Sequence, residues 1–191
     1  MRRLCRPYME RLVQATGEAI CLDVLRGLER VVADAVNAHY ELCIAPKICS
    51  SDPIYVGASD KVIMAYLPSD GVDKIDEIIK QTQLKPVTKD TITDPKRRKS
   101  EFTKIRRMGY AFRHGETLPG GASAADTVFD SAGKIVGAID LRGPQVRLDR
   151  TMLNQLAPLV IKCAIAISLE LGFEPDMADA LRFFSIYTLS D

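Results

Sequence analysis

Seven of the twelve residues from Lys96 to Arg107 are Lys or Arg. Such a run either contacts a nucleic-acid backbone or forms the solvated face of a helix, and the residues around it favour the helix. Asp94 is a good N-cap and Pro95 a good first helical residue. Phe102 and Ile105 mark an inner face, and Gly109 a stop. Lys104, Arg106 and Arg107 fall in the last turn, where cations complement the helix dipole. Phe102 belongs to the inner face, so no aromatic residue interleaves the outer-face cations, as a single-strand binder requires, and no turn-helix follows to enter a groove. The remaining basic residues are therefore expected on the outer face.

Other chemistry is sparse. There is no GxSxG, HExxH or P-loop pattern and no readable nucleophile–base pair, so enzymatic activity is not expected. His39 and His114 are far apart in sequence, and His114, beside Glu116, reads as a polar strand-end residue. Pro119-Gly120-Gly121 reads as a loop, since no helix N-terminus follows it to hold a phosphate. Cysteines at 5, 21, 43, 49 and 163 lack CxxC spacing, which fits a reduced, cytoplasmic protein. His39, Cys43 and Cys49 have no ligand spacing, so neither metal nor cofactor is expected. The segment PIYVGASDK (53–61) is more suggestive. Gly57, Ala58 and Ser59 open a helix whose free amides and dipole favour an anion. An ordinary helix start, with Ser59 or Asp60 near the cap, is the competing reading.

The elements that position these residues follow from periodicity. A helix is predicted over 3–16, with Leu4, Tyr8 and Leu12 on one face and Gly17 as its stop. EAICLDVL (18–25), ERVVADAV (29–36) and YELCIA (40–45) read as a three-stranded meander, with 47–53 as loop. Helices follow from Gly57 to Pro68 and from about 70 to 80, the latter with Val72, Ile75 and Ile79 inward. After the basic helix come strands at 109–115, 122–130 and 134–142. A long helix from about Asp149 to Leu171 carries Leu153, Leu156, Val160, Cys163, Ile167 and Leu171 as a stripe. Residues 174–191 read as a short amphipathic helical tail. Two groups of strands around a helical insert argue for an α+β fold rather than a parallel doubly wound sheet.

With 191 residues, 47% hydrophobic and 27% charged, the chain has the make-up of one soluble domain. A net charge of +1 supplies no global attraction to nucleic acid or an anionic membrane. No secretory signal pattern is visible at the N-terminus. LAPLVIKCAIAISLELG is broken by Lys162 and Glu170, and reads as too short and too charged to span a bilayer.

Five segments resemble, in order and spacing, the C-terminal effector-binding domain of IclR-family bacterial transcription regulators. They are RPYMERLVQATGEAICLDVL (6–25), PIYVGASDKVIMAYLP (53–68), TITDPKRRKSEFTKIRRMGYAF (91–112), LPGGASAADTVFDSAGKIVGAIDLRGP (118–144) and LNQLAPLVIKCAIAISLELG (153–172). The resemblance implies a GAF-like domain, an antiparallel sheet of about six strands flanked by helices, over residues 18–173. It implies that 1–17 is a linker-like helix and that the family's N-terminal winged helix-turn-helix, which binds operator DNA, is absent from this chain. It implies a homodimer or tetramer, and a pocket for a small organic acid.

In the family, helix-start amides hold the ligand carboxylate; the matching positions here are Ala58 and Ser59. The usual Gly after them is Asp60, and the usual His before them is Tyr55. Arg113 stands where an acid is common, Ser123 where Cys is frequent, and Asp140 and Arg142 where small hydroxyl residues occur. Ile44 completes the implied effector-binding set. Strand alternation puts Asp140 and Arg142 on one face. Either Arg113 and Asp140 pair and narrow the cavity while Arg142 snorkels to solvent, or Arg142, with Arg113, grips a ligand carboxylate. The first alternative describes an oligomerisation scaffold, the second a sensor. The 163/167 face and the tail around Leu181, Phe183, Phe184 and Ile186 are the expected oligomer surfaces.

Overall fold

The computed structural model describes residues 1–67 and 74–175. Helix α1 (Arg2–Thr16) leads into strands β1 (Ala19–Arg26) and β2 (Glu29–Val36). A long loop reaches β3 (Ser51–Pro53), then α2 (Ala58–Ala65), α3 (Lys74–Thr82) and α4 (Pro95–Met108). Strands β4 (Ala111–His114), β5 (Gly121–Phe129) and β6 (Ile135–Pro144) precede the long α5 (Arg150–Glu170). The six strands form one antiparallel sheet in the order β3-β2-β1-β6-β5-β4. The two strand groups therefore join through β1 and β6.

Alternation along the strands sorts side chains between two faces. Ile20, Leu22, Ala122, Ala124, Ile139 and Leu141 meet α1 and α5, while Ala111, Ala125 and Ala138 meet α2 and α4. The buried stripe of α1 is Cys5, Met9, Leu12 and Val13; the predicted Leu4 and Tyr8 flank it. Arg6 ties α1 to β2 through the Asp34 carboxylate (3.1 Å) and the Ala35 carbonyl (2.9 Å). Helix α5 has 21 residues, long and apolar enough by composition to cross a bilayer, contrary to the sequence reading. Its Leu153, Val160, Cys163 and Ile167 are nevertheless spent in the core. Cys163 and Ile167 are thus unavailable as the expected oligomer face, and Leu181, Phe183, Phe184 and Ile186 lie outside the described residues.

Two further expectations need correction. Residues 40–45 form no strand; they belong to the loop that crosses the end of the sheet. His39 donates to the Gly17 carbonyl (2.9 Å), and Arg147 lies over the Tyr40 ring (4.1 Å) and donates to the Leu42 carbonyl (3.0 Å). The edge of β2 is instead taken by Ser51–Pro53, which was read as loop, with Glu29 opposite Pro53. In α3, Ile75 and Ile79 face inward as expected and pack half-buried against the core beside the buried Ile78, while Val72 lies outside the described residues.

Gly137 is where β6 passes closest to β1. A Cβ at this position would lie 2.6 Å from the backbone oxygen of Asp23. Gly137→Ala should therefore force the two central strands apart and cost about 1–3 kcal/mol, the usual cost of overpacking. Urea denaturation measures it; a change within about 0.5 kcal/mol would show that the strands yield freely.

Candidate functional site

Under α2, on the sheet face opposite α1 and α5, the fold gathers charge. Residue 142 sits opposite Ala19 of β1 and Ser123 of β5, and Arg113 of β4 sits opposite Ser123. Arg113, Ser123 and Arg142 thus form one cross-strand row. The next row is Ala111, Ala125, Asp140 and Cys21. A register shift between Leu22 and Asp23 places Asp23 opposite Val32, so Arg30, two residues along β2, shares its face. Asp23, Arg30, Ser59, Asp60, Arg113, Ser123, Asp140 and Arg142 are all buried.

Arg142 is the hub. Its Nε donates to Asp140 Oδ2 (2.9 Å) and its terminal nitrogen to Asp23 Oδ2 (2.9 Å). The Ser59 hydroxyl donates to that same Asp23 oxygen. Arg30 lies 3.4 Å from both Asp23 Oδ1 and Asp60 Oδ1, and also pairs with the partly exposed Asp52. Arg113 donates to the Thr117 hydroxyl. Burial opposes the charge of Arg142, but Asp140 and Asp23 outweigh it and hold the guanidinium protonated. Burial raises the Asp140 carboxyl and lowers Arg113, with each offsetting part of the other's shift.

These contacts decide between the two sequence alternatives only in part. Asp140 is bound by Arg142 rather than by Arg113, and Arg142 is buried rather than turned to solvent. Its forked donors are engaged by protein carboxylates. Tyr55 points its hydroxyl away, to the Lys85 carbonyl (2.8 Å). Ala58 and Ser59 do open α2, with Gly57 as N-cap, but Asp60 bends back and accepts from the Gly57 N–H (2.6 Å). An acid of the chain's own thus serves this helix start. Half-buried Ile44 sits at the margin, its Cδ1 and an Arg113 terminal nitrogen both beside Gly121. The sequence reading missed Asp23 and Arg30. For Asp23 the signal is a lone charge inside the apolar strand AICLDVL; Arg30 carries none, since ERVVADAV also holds Glu29 and Asp34.

Asp60 gives the site a pH dependence. Burial pushes its carboxyl up to about 7, aided by Asp23 and Asp140 and opposed by Arg30 and the Gly57 N–H. The folded value thus lies above the ordinary 3.8. Between these two values the folded chain keeps a proton that the unfolded chain has released. This contribution to stability is therefore complete below about 3.8 and lost as pH rises towards 7. Asp60→Asn, which retains an oxygen for the Gly57 N–H, should remove that slope and be more stable than wild type near pH 8 by about 1–4 kcal/mol. Urea midpoints near pH 5 and pH 8 measure it, and an unchanged slope would remove Asp60 as its source.

A second buried group joins α2 to α4. Lys61 donates to Glu101 (2.9 Å) and Glu116, and Arg98 to Glu101 (2.7 Å), Glu116 (3.3 Å) and the Ile92 carbonyl (3.1 Å). Arg98 is fully buried, which corrects its placement on the outer face, while Lys96 and Arg97 are exposed there as expected. A cleft of about 490 Å³ borders this group, between α4, β4 and the start of α5. Among the described residues no group of three or more His, Cys, Asp and Glu could hold a metal ion.

The fold is that of the C-terminal domains of bacterial transcription regulators. IclR of Thermotoga maritima superposes over 90% of this chain and 68% of its own, with a TM-score of 0.83 and 27% identity. The regulator YaiJ superposes over 89% of this chain and 94% of its own, with a TM-score of 0.79 and 28% identity. The family described as bacterial transcriptional regulator IclR C-terminal matches residues 1–169, and the chain belongs to it. Among its curated relatives are KipR of Bacillus subtilis, 26% identical over 91% of this chain, and the repressor AllR of Klebsiella pneumoniae, 28% identical over 88%. The chain spans 68% of KipR and 61% of AllR.

Proposed function

We propose that this chain is the effector-sensing and oligomerisation domain of a cytoplasmic IclR-type regulator, and that a small organic acid is its effector. The acid binds between the first-turn amides of α2 and the Arg113–Ser123–Arg142 row. Operator DNA is contacted by a winged helix-turn-helix outside this sequence. The effector acts by changing how subunits of a dimer or tetramer are arranged. The observation that carries this reading is the cluster itself: Asp23, Asp140, Arg30, Arg113 and Arg142 buried on one sheet face, with Asp60 of the helix start buried above them. Buried ion pairs stabilise a fold weakly, whereas such clusters mark binding sites.

A thermal-shift screen of small carboxylic acids tests it. A ligand selective for the folded state raises the melting temperature with concentration. A flat response across the panel favours the second reading, a non-sensing scaffold. That reading has an observation of its own, because Asp140 and Asp23 already occupy Arg142.

A further inference from the structure

Four buried polar atoms on this face make no hydrogen bond: Asp60 Oδ1, Asp140 Oδ1, Arg113 Nε and Ser123 Oγ. Their residues are between 0% and 7% exposed. Asp60 Oδ1 has only the 3.4 Å ion-pair contact to Arg30; burying polar atoms without a hydrogen bond is costly, and one shared partner would relieve all four. They divide by chemistry. Two carboxylate oxygens ask for a donor, preferably cationic. One guanidinium N–H asks for an acceptor, preferably anionic, and the hydroxyl serves either. The charge count points the same way. With Asp60 ionised, as it is above about pH 7, Asp23, Asp60 and Asp140 balance Arg30, Arg113 and Arg142, so a ligand with no net charge preserves neutrality where a simple carboxylate would bury an unmatched one.

Resting on the sensor reading, we infer that the effector is a small zwitterion of the amino-acid type, its carboxylate directed to Arg113 and Ser123 and its ammonium to Asp140 and Asp60. The ammonium is what distinguishes this ligand from a plain organic acid. One charge-assisted hydrogen bond corresponds to a factor of about 10 to 150 in affinity. The amino acid should therefore bind tighter than its desamino counterpart by that factor.

The test is calorimetry and thermal shift on the intact chain. The probes are the twenty standard amino acids, β-alanine and 4-aminobutyrate, each against the carboxylic acid lacking its amino group. At least one amino acid is expected to bind about 10-fold or more tighter than its partner. Asp140→Asn should abolish that preference, and the desamino acid should bind at least as tightly as to wild type, because one acid fewer leaves a positive charge for its carboxylate to match. Should that variant fail to fold, Asp60→Asn makes the same demand. Equal affinity within every pair would overturn the zwitterion and leave the sensor standing. So would a plain acid that binds tightly with uptake of one proton, read from calorimetry in buffers of different ionisation enthalpy, since a protonated Asp60 would then balance its charge. No binding by either class would remove the sensor reading as well.

Discussion

Arg142→Ala is expected to cost about 3–5 kcal/mol of folding free energy, the usual penalty for stripping one partner from a buried charge group. Arg142 is the shared donor of Asp140 and Asp23, and both acids are buried. Without it the cluster keeps three acids against Arg30 and Arg113, and Asp140 loses its only hydrogen-bonded partner among the described residues. Adding Asp140→Asn to Arg142→Ala should recover part of the loss, since an amide tolerates burial better than a carboxylate. Urea unfolding of the two variants measures both effects. A loss below about 1 kcal/mol for Arg142→Ala would mean the three side chains do not form this group in solution. The double variant matters because it separates electrostatics from packing: a cavity left by the long side chain would not be repaired by the second change.

The second large effect lies in the basic run. Arg98→Ala should also cost about 3–5 kcal/mol, whereas Arg97→Ala, one residue away and exposed, should stay within about 0.5 kcal/mol. Arg98 is hydrogen-bonded to Glu101, Glu116 and the Ile92 carbonyl, and its loss leaves two carboxylates facing Lys61 alone. The contrast between neighbours is the informative quantity. Equal, small effects would return Arg98 to the solvated face.

That contrast also shows where sequence patterns stop speaking. Period and caps located α4 well: Asp94 accepts from the Arg97 N–H (2.7 Å), and Gly109 closes the helix in the left-handed region at φ 87°. Arg98, Phe102 and Ile105 follow the i, i+4, i+7 spacing of a single stripe, so the helix period already placed Arg98 inside. Residue type overrode position, because arginine is ordinarily exposed. The same habit hid Asp23 and Arg30 in two strands whose limits were otherwise read to within a residue. The pairing of Arg142 with Asp140, two apart on one strand, was within reach of alternation. The contribution of Asp23 was not, since it depends on β1 lying next to β6, a neighbour more than a hundred residues distant in sequence. The loop at 40–45 misled for a related reason. Its apolar residues meet the end of the sheet and its loops rather than a strand, and no periodicity distinguishes those partners.

All eight residues of α2 are buried, and so are Asp23, Arg30, Arg113, Asp140 and Arg142 beneath it. A helix with no solvent face cannot admit a molecule to its underside by side-chain rotation alone. Entry must await a transient separation of the cover, from α2 itself or from the loop carrying Ile44. Arrival and opening then become separate events. At high ligand concentration the observed binding rate should level off at the opening rate instead of climbing in proportion to concentration. Departure is held back by the same cover, so the chain would report a lasting change in effector level rather than follow its fast fluctuations.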